Sequence, residues 1–288
     1  MMPDYNITDF DLFFLSYDEP NSELNFADLA NKAPWVQRVH GVKGFDAAHR
    51  QCAERSETDW FITVDADNIV DEAFFNQVIT LDPVGHPRLC LTWNGLNMMN
   101  GLIYGNGGIK LWSKEFVLSG GVGHEATDDP KHAVDFCWQK DYRSRNECFS
   151  EVWNNSTPFQ AYRVGFREGV KLTLDGGERI LAKDMKKLHK VNIRNIRIWS
   201  SVGRHVPNGE WAILGARSGW ASMLDPEFDH VVVRDYDWFD DHWKNDAPDL
   251  GSINYLGSQI ESQTGISLVQ LDAEASAFFQ ETFRWRNE

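Results

Sequence analysis

Residues Trp60-Phe61-Ile62-Thr63-Val64-Asp65-Ala66-Asp67 form an uncharged, mainly apolar run that ends in two carboxylates. A short apolar run of this kind predicts a strand that is buried on both faces. Ligands of open α/β sheets collect at the carboxyl ends of the strands. The sequence therefore predicts a ligand site at Asp65 and Asp67.

The residues on either side of this strand alternate between short apolar runs and amphipathic stretches. Strands are predicted at 11–17 and 36–42, and helices at 22–32, 44–56 and 72–79, the first of them with a serine N-cap at its first residue. Strands that alternate with helices predict an α/β protein with a mixed, Rossmann-type sheet flanked by helices.

A soft boundary is expected at Asp175-Gly176-Gly177, because the composition becomes basic beyond it and then aromatic and acidic. This gives a first domain at 1–175 and a mainly helical region at 176–288, packed on the first as one unit. Between Arg163 and Arg204 there are 11 Lys and Arg against 4 Asp and Glu, whereas the chain as a whole carries −15. One face is therefore able to receive phosphates, although two ordinary solvated faces explain the pattern equally well.

The length and composition exclude a small disulfide-stapled scaffold, a fibrous protein and a disordered tail. With 288 residues and 42% hydrophobic side chains, the chain has enough apolar material for a large core. No apolar run approaches the length of about 18 residues that a spanning helix needs, and the start lacks a secretory pattern, so we expect a cytoplasmic protein with no membrane partner. The 4 cysteines include no CxxC pair, and we expect reduced thiols.

Carboxylates that are spaced two residues apart suit a hard divalent cation such as Mg²⁺ or Mn²⁺. Such a cation stabilises the charge that develops on a nucleoside diphosphate leaving group during sugar transfer. An EF-hand is excluded, because Val70 and Asn76 stand where its glycine and glutamate are required. A turn pair without a metal, and a phosphatase with Asp65 as nucleophile and Asp67 as acid, remain open.

The order of elements that leads to the carboxylate pair resembles the nucleotide-sugar transferases of the GT-A fold, and among them the bacteriophage-encoded glycosyltransferases that modify hydroxymethylated bases in phage DNA. The resemblance spans roughly residues 11 to 220. It rests on the stretches Ser16-Tyr17-Asp18-Glu19-Pro20-Asn21, Arg38-Val39-His40-Gly41-Val42-Lys43-Gly44, Gly107-Gly108-Ile109-Lys110-Leu111, Phe166-Arg167-Glu168-Gly169-Val170-Lys171-Leu172 and Gly209-Glu210-Trp211-Ala212-Ile213-Leu214-Gly215-Ala216.

The resemblance implies a metal-dependent glycosyltransferase that uses a nucleotide sugar, expected to be UDP-linked, together with Mn²⁺ or Mg²⁺. It implies an acceptor hydroxyl on a 5-hydroxymethylated pyrimidine such as hydroxymethylcytosine in DNA, in the host cytoplasm if the gene is carried by a phage. The donor-binding residues that it implies are Ser16, Tyr17, Asp18 and Glu19 at the nucleoside, Lys43 and His49 near the diphosphate, and Asp65, which holds the metal with Asp67 and also reaches the ribose.

The remaining candidates concern proton transfer, the metal and the acceptor. Asp135 stands in an apolar setting and is our candidate for the general base of an inverting transfer, which a retaining transfer does not need. The competing acids are Glu125, Asp128 and Asp129, and His205 is a candidate third metal ligand. Candidate acceptor residues are Gly107 and Gly108 in a turn, Trp93 as a stacking ring, and Arg194 and Arg197 as cations for a nucleic-acid backbone.

Two further functions stay open. The acceptor is equally a glycan or a protein if the DNA resemblance does not extend to it. A noncatalytic protein that binds carbohydrate or nucleic acid is the alternative from a different class, and in it the two carboxylates serve only the structure.

Overall fold

A computed structural model of the chain describes residues 2–104, 108–120, 127, 129, 134 and 141–285. The chain divides into two compact units. Unit 1 contains Met1–Met98, Ile103–Asp128 and Phe136–Trp153, and unit 2 contains Met99–Leu102, Asp129–Asp135 and Asn154–Glu288. No helix among these described residues is long and apolar enough to cross a membrane.

Unit 1 holds the main sheet and a separate pair of strands. In chain order, the strands of unit 1 are β1 Asp4–Asn6, β2 Asp11–Ser16, β3 Gln37–His40, β4 Trp60–Asp65, β5 Asn68–Val70, β6 Val78–Thr80, β7 Cys90–Asn97, β8 Ile103–Tyr104, β9 Ile109–Ser113 and β10 Tyr142–Val152, and β1 and β6 form the separate pair. Its helices are α1 Ser22–Lys32, α2 Phe45–Arg55 and α3 Lys114–Leu118, with 3-10 turns at Ile7–Asp9 and Glu72–Asn76.

The main sheet has the strand order β3-β2-β4-β9-β7-β10-β5, with β8 paired to β7. Strand β2 is parallel to β3 and β4, and β7 is parallel to β10, whereas β4–β9, β7–β9 and β10–β5 are antiparallel. The predicted mixed α/β sheet with flanking helices is therefore confirmed. Strands β4 and β5 stand third and seventh in the order, although only two residues join them. The sheet must therefore curl so that its last strand returns to its third.

Strand β4 is buried on both faces, as predicted. Ile62 and Val64 belong to one apolar cluster, and Phe61 belongs to another that contains Trp112 and Cys52. Because successive side chains of a strand point to opposite faces, an uninterrupted apolar run requires a cover on each side.

Two local expectations were wrong. The predicted helix at 72–79 is a 3-10 turn at Glu72–Asn76 followed by β6, because Val78–Thr80 pairs with β1 and the chain must be extended there. The side chain of Asp71 caps this turn by accepting from the N–H of Ala73 at 2.9 Å. The N-cap of α1 is Asn21 rather than Ser22, which is the first helical residue.

Unit 2 is mainly helical in the described residues, as predicted for the C-terminal region. Its helices are α4 Pro158–Lys171, α5 Lys190–Trp199, α6 Gly209–Ser222, α7 Tyr236–Asp246, α8 Ile253–Thr264 and α9 Ala273–Trp285. Helices α4 and α6 pack backbone to backbone through two pairs of glycines. A Cβ at Gly165 or Gly169 would collide with carbonyls of α6, and one at Gly215 or Gly219 would collide with carbonyls of α4. The small-xxx-small spacing therefore fixes this helix pair.

The boundary expected at Asp175-Gly176-Gly177 is a hairpin in this structure. Leu174–Asp175 pairs with Glu178–Arg179, and both glycines between them have positive φ, at 58° and 88°. A two-residue hairpin turn with two positive φ angles favours glycine at both positions. The division between the units lies earlier, after Trp153, so α4 belongs to unit 2.

A buried arginine connects four segments of unit 2. Arg217 of α6 has no exposed surface, and it donates to the carbonyls of Ser200 and Ile253, each at 2.8 Å. With its amide oriented to match, the oxygen of Gln270 accepts from both Nη atoms at 2.6 and 3.1 Å. Burial lowers the pKa of Arg217 to about 10, so the guanidinium is charged at neutral pH.

Replacing Arg217 with Met should destabilise the fold of unit 2, because it leaves these buried acceptors unpaired. We expect a loss of about 3 kcal/mol in the free energy of unfolding, measured by urea denaturation. Arg204→Met is the matched control, because Arg204 pairs with Glu210 at 3.1 Å near the surface, and it should lose less than about 1 kcal/mol. Equal losses in the two variants would contradict the role given to Arg217.

Candidate functional site

The two carboxylates of the predicted site lie in the connection from β4 to β5. Asp65 ends β4, and its N–H donates to the carbonyl of Gly108 at 3.0 Å. The carbonyl of Asp67 accepts from the N–H of Trp153 at 2.7 Å. Each aspartate is therefore held in a different ladder of the sheet, Asp65 beside β9 and Asp67 beside β10.

Two asparagines hold the same connection from their side chains. Nδ2 of Asn25, on α1, donates to the carbonyl of Ala66 at 2.8 Å. Nδ2 of Asn68 donates to Oδ1 of Asp67 at 2.7 Å. The peptide between the two aspartates and one of their carboxylates are thus fixed before any ligand arrives.

A glycine makes room for one of these asparagines. Gly108 has φ 80°, and a Cβ on it would collide with the side-chain amide of Asn68. The left-handed backbone and the close approach both favour glycine at this position. Gly108, which the sequence analysis assigns to the acceptor, therefore also supports the position of Asp67 through Asn68.

The sequence analysis did not single out Lys110. Its ammonium donates to Oδ2 of Asp65 at 3.1 Å, and its side chain is only 3% exposed, against 38% for Asp65. The sequence did contain a signal, since Lys110 is the only charged residue in strand β9 and stands between Ile109 and Leu111. In register it lies opposite Thr63 of β4 and Thr92 of β7, which are both fully buried.

The second aspartate has a different environment from the first. Removal of its carboxyl from water, together with the negative charges of Asp65 and Glu19, raises the pKa of Asp67 to about 7. The hydrogen bond from Asn68 and the charge of Lys110 oppose this rise. Near neutral pH, Asp67 is therefore close to the midpoint of its titration, and a positive charge placed beside it favours its ionised form.

The donor set fits a divalent cation. Two carboxylates repel each other across the connection, and a hard cation between them relieves that repulsion. The described residues contain no group of three or more His, Cys, Asp or Glu side chains arranged to hold a metal ion. Cations of the Mg²⁺ type are commonly held by one or two carboxylates, with substrate phosphates and water completing the shell.

The candidate third ligand, His205, lies in unit 2. Its Nδ1 is 3.0 Å from Oγ of Ser276, and its Nε2 is hydrogen-bonded to Oε1 of Gln280. Both ring nitrogens are thus engaged by α9, and a ligand role for His205 stays a prediction.

The residues predicted to hold the nucleoside follow β2. Oγ of Ser16 is buried, lies 2.9 Å from Nδ1 of His40 and accepts from Nε of Arg38 at 2.9 Å. The ring of Tyr17 is 48% exposed, and its N–H donates to Oε2 of Glu19 at 2.7 Å. Asp18 and Lys43 are both exposed. The charge of Glu19 reaches Asp67, which places this loop next to the carboxylate pair.

His49 is buried in α2 and is not a surface residue. It is 1% exposed, its ring stacks on Phe45 with centroids 3.9 Å apart, and it meets the edge of Trp112 at 4.9 Å. Its Nδ1 donates to the carbonyl of Phe45 at 2.9 Å, whereas its buried Nε2 has no hydrogen-bond partner among the described residues. Burial lowers the pKa of His49 to about 4, so the ring is neutral.

The structure describes only some of the candidate acceptor and base residues. Gly107 and the candidate base Asp135, with its competitors Glu125 and Asp128, lie outside the described residues. Trp93 is 1% exposed and packs on Phe74 with centroids 5.1 Å apart, so its ring fills the core and offers no stacking face.

Comparisons with known proteins add little. No family model matches the chain, and no curated protein matches it. Among solved structures, it is similar to a glycosyltransferase involved in the glycosylation of the major capsid of PBCV-1, with a TM-score of 0.33 and 14% identity over 55% of this chain and 98% of that one. A likeness of this size supports no argument about fold or function.

The pKa of Asp67 leads to a prediction about stability. Between pH 3.8 and about 7 the folded chain keeps a proton on Asp67 that the unfolded chain has lost. The free energy of unfolding should therefore fall as the pH rises through this window, by on the order of 2 kcal/mol since Asp67 is partly exposed. Urea denaturation in EDTA should show this fall in the wild type, and Asp67→Asn should remove it. The exposed Glu72→Gln is the control and should leave it unchanged; a wild-type profile in Asp67→Asn would contradict the assignment.

The contact between Gly108 and Asn68 can be separated from backbone strain by a matched pair of variants. Gly41 has a similar φ of 73° but open space where a Cβ would stand. In thermal unfolding, Gly41→Ala should therefore lower the free energy of unfolding by about 1 kcal/mol, from backbone strain alone. Gly108→Ala should lower it by more, because the added methyl group also displaces Asn68 from Asp67. Equal losses in the two variants would mean that the contact between Gly108 and Asn68 contributes nothing to stability.

Proposed function

We propose that this chain is a metal-dependent glycosyltransferase that moves a sugar from a nucleotide-sugar donor to a hydroxyl group. The observation that carries the proposal is the pair Asp65 and Asp67, held by hydrogen bonds in a two-residue connection at the carboxyl end of a buried strand. The donor is a UDP-sugar by the resemblance described above.

The chemistry of the site supports a diphosphate leaving group. A bound Mn²⁺ or Mg²⁺ supplies positive charge that stabilises the leaving nucleoside diphosphate. Asp65 and Asp67 would hold the cation, and Asp67 must release its proton in order to do so. The backbone hydrogen bonds that hold both residues reduce the reorganisation that this requires.

The neighbouring loop supports a nucleoside subsite. Tyr17 presents an exposed ring at the end of β2, and rings of this kind stack on bases. Buried Oδ1 atoms of Asn21 and Asn68 have no hydrogen-bond partner among the described residues. Asn21 is linked to the site because its Nδ2 donates to the carbonyl of Trp153 at 3.0 Å. These acceptors are available for the ribose or for water in the donor complex.

The proposed acceptor is a 5-hydroxymethylated pyrimidine in DNA. The resemblance suggests it, and the surface of unit 2 is compatible with a polyanion. Lys190, Arg194 and Arg197 are exposed and lie at positions i, i+4 and i+7 of α5, which is one helix face. If the transfer inverts configuration, Asp135 is the proposed general base.

The test is a panel of nucleotide sugars with Mn²⁺, scored for release of nucleoside diphosphate, with hydroxymethylated and ordinary DNA compared. Release should require Mn²⁺, and Asp65→Asn or Asp67→Asn should lower it by at least about 100-fold. Glu72→Gln, exposed and away from the connection, is the charge-matched control and should retain wild-type turnover.

The assay tests the transferase activity and the DNA acceptor separately. Release that is equal with and without hydroxymethylated DNA would keep the transferase and remove the DNA acceptor, leaving a glycan or a protein. No release with any donor, in the presence of Mn²⁺, would contradict the transferase and favour a binding protein.

A phosphatase is the second candidate, and one observation favours it. Asp67 has a pKa of about 7, and a carboxyl that is protonated near neutral pH suits a general acid placed two residues after an aspartyl nucleophile. Incubation with a phosphoryl mimic such as beryllofluoride, followed by ¹⁹F NMR, distinguishes the two. An adduct that Asp65→Asn abolishes would favour the phosphatase, and its absence the transferase.

A further inference from the structure

Four polar side chains lie on one face of the sheet beneath α2: Thr63, Asp65, Lys110 and Thr92. The register places Thr63 opposite Lys110 and Phe61 opposite Trp112, with Nε1 of Trp112 donating to Oγ1 of Thr63 at 2.9 Å. Asp65 is two residues beyond Thr63 on β4, so its side chain leaves the sheet on this same face.

The ammonium of Lys110 is held in this layer by Asp65. Lys110 is 3% exposed, and its flanking residues on the face, Thr63 and Thr92, have no exposed surface. A buried ammonium that loses its partner carries a large desolvation cost unless another acceptor receives it. Lys110 therefore cannot release Asp65 without a second acceptor nearby.

His49 offers such an acceptor. Its Nδ1 donates to the carbonyl of Phe45, so in the neutral ring the lone pair is on Nε2. That atom is buried and has no partner among the described residues, a condition that is costly and calls for an explanation. His49 contacts Trp112, which is two residues from Lys110 on the same strand and the same face.

We propose that Lys110 exchanges acceptors: it holds Asp65 while the site lacks a cation, and it passes its ammonium to Nε2 of His49 when Asp65 becomes a metal ligand. This inference rests on the metal site of the proposed function and assigns two residues to its regulation. Lys110 competes with the cation for Asp65, and His49 lowers the cost of the exchange. Lys110 thereby limits cation affinity, and His49 makes that limit smaller.

The test measures Mn²⁺ binding directly, by the loss of the free Mn²⁺ signal in electron paramagnetic resonance, with the full chain and no donor. Lys110→Met removes the competitor and leaves the repulsion between the two carboxylates unrelieved, so it should bind Mn²⁺ about tenfold more tightly than the wild type. His49→Phe keeps the ring between Phe45 and Trp112 but lacks the acceptor, and it should bind about threefold more weakly.

The double variant separates an exchange from two unrelated effects. In the Lys110→Met background there is no ammonium to receive, so His49→Phe should leave Mn²⁺ affinity unchanged. Lys114→Met is the matched control. It removes a lysine whose Nζ donates to the carbonyl of Ser56 at 2.7 Å, away from Asp65, and should bind Mn²⁺ like the wild type.

A second measurement does not depend on the variants being stable. In the ¹⁵N NMR spectrum of the wild type, Mg²⁺ should move the Nε2 resonance of His49 to lower frequency, as expected when an imidazole lone pair accepts a hydrogen bond.

Three results would overturn the exchange while leaving the metal site in place: unchanged Mn²⁺ affinity in Lys110→Met, a His49→Phe effect that persists in the double variant, or an unmoved Nε2 resonance at saturating Mg²⁺. If neither the wild type nor Lys110→Met binds Mn²⁺, the metal site itself is overturned, and the exchange with it.

Discussion

The two-residue connection between β4 and β5 is the constraint on which the rest of unit 1 depends. These strands stand third and seventh in the sheet order. Joining them through Ala66 and Asp67 alone forces the intervening strands to curl back on β4. The same geometry explains why the backbone of the connection is paired on both sides, with Gly108 on one and Trp153 on the other. A carboxylate pair in such a position is fixed by the sheet and not by a loop.

The two aspartates are alike in sequence and different in surroundings. Asp65 faces a buried ammonium, whereas Asp67 accepts from a neutral amide and lies among negative charges, which is why its pKa rises to about 7. Environments that separate two neighbouring carboxyls in this way are typical of functional sites, although structural networks also produce them. Under the proposed function the asymmetry gives each residue a separate part: Lys110 would compete with a cation for Asp65, and Asp67 would have to lose its proton before it binds one.

The main strands could be predicted because burial on both faces requires a continuous run of uncharged, mainly apolar residues. The run from Trp60 to Val64 has no charge, and the carboxylates after it mark where the strand ends. The helix expected at 72–79 does not form in full, because pairing of Val78–Thr80 with β1, a strand more than seventy residues earlier in sequence, outweighs local periodicity. The glycine pairs of α4 and α6 lie about fifty residues apart, so only the folded chain shows that they meet.

Only the part of the candidate site that is local in sequence could be predicted. Asp65 and Asp67 are neighbours in sequence, so their spacing alone suggested a cation. Lys110 and His49 reach the same face from β9 and α2, and a single sequence does not show that the strand and the helix meet. Trp93 was predicted to stack on an acceptor, but its ring is buried against Phe74. Burial of a large aromatic side chain from a central strand stabilises the core.

The proposed function requires that Asp65 and Asp67 bind a divalent cation together with a nucleoside diphosphate. Anomalous diffraction from crystals grown with Mn²⁺ and UDP tests this binding. We expect a manganese peak about 2 Å from a carboxylate oxygen of each aspartate, with the diphosphate completing its coordination. Manganese bound elsewhere, or a diphosphate bound while Lys110 still holds Asp65 and no metal is present, would contradict it.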